Sequence, residues 1–120
     1  PGQDLRDVRA IYSVALPLGT EEAKLLMVLP LEHLTKNTDD AEFMPSGIAI
    51  HPRNKHVFVL ASRGKTLLEC ATDGSVYAQL NLPKKTHEQP EGICIGADGT
   101  VYIANEGAGG KGHIMRYELE

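Results

Sequence analysis

"PSGIAIHPRNKHVFVLAS", Pro45 to Ser62, and "PEGICIGADGTVYIANE", Pro90 to Glu106, are two copies of one pattern. With one extra residue allowed in the turn of the first copy, Pro45 falls on Pro90, Gly47 on Gly92, Ile48 on Ile93 and Ile50 on Ile95. Val57, Phe58 and Val59 then fall on Val101, Tyr102 and Ile103. A repeat of about 45 residues is the mark of a stacked architecture, in which one supersecondary unit buries its apolar face against the next.

Within each copy the period is that of strands. Short β-branched or aromatic runs are bounded by turn residues such as Pro52-Arg53-Asn54, Asp73-Gly74 and Asp98-Gly99, and no segment keeps a helical period for more than a turn or so. The first complete copy predicts strands at Gly47–Ile50, His56–Ala61, Thr66–Ala71 and Val76–Leu82; the second predicts Gly92–Ile95, Val101–Asn105 and His113–Leu119. Upstream, "AIYSVAL" and "KLLMVLPL" read as two outer strands of an earlier copy, and "LEHLTKN", Leu31 to Asn37, as a short helix or irregular connection. Four strands per ~45 residues is the arithmetic of a β-propeller blade.

The expected fold is therefore all-β: a β-propeller fragment of about two to two and a half four-stranded antiparallel blades. Its parts are the outer strands of one blade at about 8–31, a full blade at about 45–83 and three strands of the next at about 90–120. Propellers close with about 4 to 8 blades. Residues 1–120 are thus expected to be a partial ring, completed by missing blades of the same protein or by other copies of the chain. The chain starts at Pro1 rather than Met, which is the pattern expected if upstream sequence has been removed.

Composition narrows the function classes. Twelve Lys and Arg against 16 Asp and Glu give a net charge of −4, without the basic stripe that nucleic acid binding requires. No apolar run reaches the roughly 20 residues of a membrane span, and the N-terminus lacks a signal-peptide pattern. Two cysteines, Cys70 and Cys94, are too few for a disulfide framework; each lies in an apolar run and is expected to be a buried free thiol.

"MPSGIAIHPRNKHVFVLASRGKTLLECATDGSVYAQLNLP" followed by "QPEGICIGADGTVYIANEGAGGKGHIMRYELE" resembles the SdiA-regulated family of bacterial β-propellers, related in style to NHL-repeat and gluconolactonase-like propellers. "IYSVAL" and the Leu-rich strand after it resemble the outer half of a preceding blade. The resemblance implies the C-terminal part of an exported protein, periplasmic or at the cell surface, with a lipoprotein anchor in the full-length form.

In such a fold the innermost strand of each blade lines the central channel, and ligands gather at the mouth. Ser46 and Glu91 precede the innermost strands; His87 lies just before Pro90, and Asn105 and Glu106 close the second strand of the last copy. Ser46, His87, Asn105 and Glu106 are the candidate ligand-binding residues. In calcium-dependent lactonase-type propellers a Glu in a similar Pro-Glu-Gly setting holds the metal, so the resemblance carries a metal-ligand role to Glu91 and makes Ca²⁺ the candidate cofactor. Each assignment has a structural alternative: Glu91 as a hydrogen-bond acceptor at a blade junction, and Asn105-Glu106 as a cap on the following turn.

"GAGGKG" and "SRGKT" fail the phosphate-loop pattern, since both sit between strands and lack its spacing. The histidines His33, His51, His56, His87 and His113 show no zinc-site spacing, and there is no G-x-S-x-G elbow. These features favour a module that binds a small ligand, a carbohydrate or a protein partner. The alternative is a calcium-dependent hydrolase of lactonase or phosphoesterase type.

Overall fold

The computed structural model describes residues 8–16, 19, 22–30, 42–107 and 110–118. Nine strands make three antiparallel sheets. The first pairs β1 (Val8–Ser13) with β2 (Lys24–Pro30). The second has the order β3 (Met44–Ile50), β4 (Val57–Arg63), β5 (Thr66–Cys70), β6 (Val76–Asn81). The third has the order β7 (Pro90–Ile95), β8 (Val101–Asn105), β9 (His113–Tyr117). The all-β fold and its antiparallel blades are those expected, consistent with a propeller fragment; the connection at Leu31–Asn37 lies outside the described residues.

The sheets stack with the second in the middle. β4 shows what that position demands, because its run Val57-Phe58-Val59-Leu60-Ala61 is buried at every residue. Side chains alternate across a strand, so Val57, Val59 and Ala61 meet Met27, Leu29 and Phe43 on one side, together with Leu68 and Cys70. Phe58 and Leu60, with Leu67, meet Val101 and Ile103 on the other. A strand buried on both faces needs an unbroken apolar run. β8 by contrast alternates buried and open along Val101–Asn105, since its sheet has a neighbour on one side among the described residues.

Turn chemistry sets the register. Gly64 and Lys65 both have positive φ in the turn between β4 and β5, as short hairpin connections require. Asp98 accepts from the Thr100 amide at 3.0 Å between β7 and β8, as Asn54 Oδ1 accepts from the His56 amide at 2.8 Å in the matching turn of the first copy, and Asp73 closes β5 to β6 in the same way, from the Ser75 amide at 2.9 Å. The Ser75 hydroxyl and amide hold the Asp73 carboxyl, and Thr100 holds the Asp98 carboxyl, below the usual aspartate range. The extra residue of the first copy falls in the 51–56 turn, where Lys55 adopts positive φ and its amide donates to His51 O at 3.1 Å.

The two thiols separate. Cys70 is free and buried, and burial pushes its pKa up to about 11. Cys94 is free but exposed, which corrects the expectation of two buried thiols. An apolar run on a strand at the end of a stack buries only alternate positions, and Cys94, opposite Tyr102, lies on the outward face.

Gly64 has no room for a side chain. Its φ is +91°, and a Cβ there would lie 2.3 Å from Glu42 O. Gly64→Ala is therefore expected to destabilise the protein by at least about 1–3 kcal/mol, read as a lower urea midpoint at unchanged m-value.

Candidate functional site

The strand directions bring one set of ends together. The beginnings of β3, β5, β7 and β9 and the ends of β4, β6 and β8 lie at the same end of their sheets. Ser46, Glu91 and Asn105, with the flanking His87 and Glu106, belong to that end.

Ser46 and Glu91 share an unusual place. Pro45 pairs with Ala61 and Gly47 with Leu60, leaving Ser46 as an extra residue in the ladder. Pro90 pairs with Asn105 and Gly92 with Ala104, leaving Glu91 in the same position. A β-bulge re-aims the residue it leaves unpaired. Ser46 turns to the neighbouring sheet, where its Oγ donates to Pro90 O at 2.7 Å. Beside it the backbones come close: a Cβ on Gly47 would sit 3.2 Å from Ile93 Cγ2 and 3.5 Å from Glu91 O. The Ser46 hydroxyl thus ties the two blades. Glu91 itself is exposed.

His87 lies in the connection between β6 and β7 and is fully buried. Asn105 Nδ2 donates to its Nδ1 at 3.0 Å. That places the imidazole proton on Nε2, which donates to Tyr117 Oη at 2.5 Å, and the two rings stack with centroids 5.7 Å apart. Further bonds hold the connection down: His113 Nε2 donates to Thr86 O at 2.6 Å, Lys65 Nζ to Glu88 O, and the Glu106 amide to Gln89 O at 2.9 Å. Asn105 is 4% exposed, and its Oδ1 has no partner among the described residues. His87 and Asn105 therefore anchor each other, while Glu91 and Glu106 are exposed carboxylates of this end, together with Glu42 and Glu88.

Nearby, Glu42, Ser62, Arg63 and Lys65 line an open polar cleft of about 470 Å³. Arg63 Nη1 reaches Glu42 Oε2 at 3.4 Å, an exposed pair of the kind that adds little stability.

Sequence reasoning did not find Tyr117, because its hydroxyl meets His87 across a separation of 30 residues. It also passed over His56, whose Nδ1 lies 2.5 Å from Glu69 Oε2 with Tyr77 against the ring at 5.0 Å. Each contact joins a histidine in a connection to a residue on a strand 13 or 30 positions away, and no local sequence pattern marks either.

The calcium expectation meets a short donor set. A Ca²⁺ ion takes 6–8 oxygens, and among the described residues there is no group of three or more His, Cys, Asp or Glu that could hold a metal. Glu91 supplies one carboxylate, so a calcium site here needs ligands that the described residues do not bring.

A family model described as SdiA-regulated matches residues 4–108. The chain belongs to the SdiA-regulated family. Membership and the three-sheet architecture agree on a β-propeller-like module. No curated protein matches this SdiA-regulated chain. Among its described residues no helix is long and apolar enough to cross a membrane.

The His87 cluster has a pH signature. Burial first of all, then the charges of His113 and Lys65, holds the His87 pKa below the ordinary value of 6.5. The unfolded chain then binds this proton more readily than the folded one. The stabilisation is complete above the unfolded value near pH 6.5 and is lost as pH falls from there toward the lowered folded value. Urea midpoints are expected to drop between pH 7.5 and 5.5, and His87→Gln to flatten that slope while lowering stability at pH 7.5.

Proposed function

We propose that this SdiA-regulated protein is a recognition module of an exported bacterial β-propeller, and that it binds a small polar ligand, a carbohydrate or a protein segment at the end bearing Ser46, Glu91 and Glu106. One observation carries the reading: the two bulged inner strands put their polar residues at the same end as the Glu42, Ser62, Arg63 and Lys65 cleft. Propeller ligands are taken up where loops of several blades converge around the channel, and polar groups of both signs in one place suit a hydroxyl-rich or zwitterionic ligand.

The rigid part of this end supports recognition rather than proton transfer. His87 has both nitrogens engaged, so it orients the 82–89 connection instead of meeting a substrate. Glu91 and Glu106 are open and supply acceptors for hydroxyl or cationic groups. The likeness to lactonase-type propellers rests on Glu91 alone.

NMR chemical-shift mapping of the protein from its natural source, titrated with a panel of mono- and disaccharides and short peptides, tests the reading. Perturbations are expected at residues 42, 62–65, 88–91 and 105–106. Perturbations confined to the opposite end, residues 51–56, 71–75 and 96–100, or none from the whole panel, would overturn it. Calcium alone serves as a separate arm: a rise in Tm abolished by Glu91→Gln would establish the hydrolase-type metal site in place of a metal-free recognition surface, whereas an unchanged Tm leaves recognition to the polar groups themselves.

A further inference from the structure

The second sheet carries another bulge, on its outermost strand. Glu69 pairs with Ala78 and Cys70 with Val76, leaving Tyr77 as the extra residue of β6. A bulge re-aims the residue it leaves unpaired. Tyr77 is turned so that its ring lies against His56, with centroids 5.0 Å apart and planes at 56°, yet it stays 70% exposed. Beside it His56 Nδ1 meets Glu69 Oε2 at 2.5 Å, and those two side chains are only 19% and 18% exposed. The three residues come from just before β4, the end of β5 and the start of β6, so they lie at the end of the sheet away from Ser46, Glu91 and Glu106.

An exposed aromatic residue by itself is ordinary. Its place beside a half-covered carboxylate and imidazole is what gives it chemistry, since ligand sites combine aromatic surface with a few fixed polar groups. The imidazole is presented by a fixed backbone: the His56 amide donates to Asn54 Oδ1 at 2.8 Å, and the His56 carbonyl accepts from the His51 amide at 2.9 Å. Glu69 stands opposite Phe58, which is 3% exposed, so the carboxylate has an apolar neighbour on one side and His56 on the other.

We propose that His56, Glu69 and Tyr77 form a second binding site, for a saccharide whose C–H face lies on the Tyr77 ring while one of its hydroxyls meets His56 Nε2. The partners decide the ligand class. With Glu69 on Nδ1, Nε2 is the ring nitrogen left for a ligand. In the neutral ring Nε2 accepts a hydrogen bond and in the imidazolium it donates one, and a hydroxyl serves both forms. An ammonium group would be repelled by the imidazolium, and a carboxylate or phosphate by Glu69. Tyr77 adds apolar surface with a hydroxyl at its tip, which suits a pyranose ring that is apolar on its face and polar at its edge. The site is separate from the one proposed at the opposite strand ends and stands or falls independently of it.

The test is NMR of the full-length protein titrated with methyl β-D-glucopyranoside, methyl β-D-galactopyranoside and diacetylchitobiose. Shift changes are expected at residues 56, 69 and 77, with saturation transfer to the ligand strongest at its ring C–H protons. Tyr77→Ala is expected to weaken this binding by roughly three- to tenfold, and Tyr77→Phe to retain it. Because the Tyr77 side chain stands in solvent, both variants are expected to keep the parent Tm. No change at residues 56, 69 and 77 with any of the three glycosides, or undiminished affinity in Tyr77→Ala at unchanged Tm, would overturn the proposal. A response there to choline or acetate in place of the glycosides would also overturn it, in favour of an ion site. Residues 62–65 and 88–91 report on the opposite end in the same spectra, so failure of one reading is distinguishable from failure of the other.

Discussion

The approach of β3 to β7 at Gly47 is the contact on which the arrangement of the blades depends. The inner strands of the second and third sheets come close here, and a side chain at residue 47 would press on Ile93. The bulge beside it turns Ser46 across the gap, so a directional hydrogen bond to Pro90 O accompanies the packing. Hydrophobic burial holds the sheets together without fixing their relative position; the Ser46 bond and the Gly47 notch supply that position.

From this junction the layering follows. The second sheet must satisfy neighbours on both sides, hence the unbroken apolar run of β4, while the third keeps an alternating pattern. The connection between β6 and β7 crosses the end of the stack and is held by His87, which links Asn105 and Tyr117 from two different strands. A buried imidazole is stabilising here because both ring nitrogens have partners. Glu91 and Glu106 stand exposed beside this hydrogen-bonded connection.

The repeat made most of the fold legible. Strand positions, the four-strand unit and its antiparallel order follow from the paired Pro-x-Gly-Ile stretches and the Asx turns, which are local features. Cys94 shows where the reading fell short: its segment is as apolar as that of Cys70, yet one thiol is buried and the other is not. Sequence period gives the two faces of a strand, but which face meets another sheet depends on the place of that strand in the stack. Ser46 and Glu91 were singled out for lying before the inner strands; that both are bulge residues depends on pairing with β4 and β8.

By itself, then, the sequence determined the repeat, the all-β class, the strand and turn positions and the end of the blade where polar groups gather, because these follow from residue chemistry within a few positions along the chain. Tertiary structure alone decided that Ser46 joins two blades, that His87 is a buried anchor between Asn105 and Tyr117, and that Cys94, Tyr102 and Ile114 share an outward face. Those facts join residues up to 44 positions apart, about one blade's length, and only the pairing and stacking of strands bring such residues together.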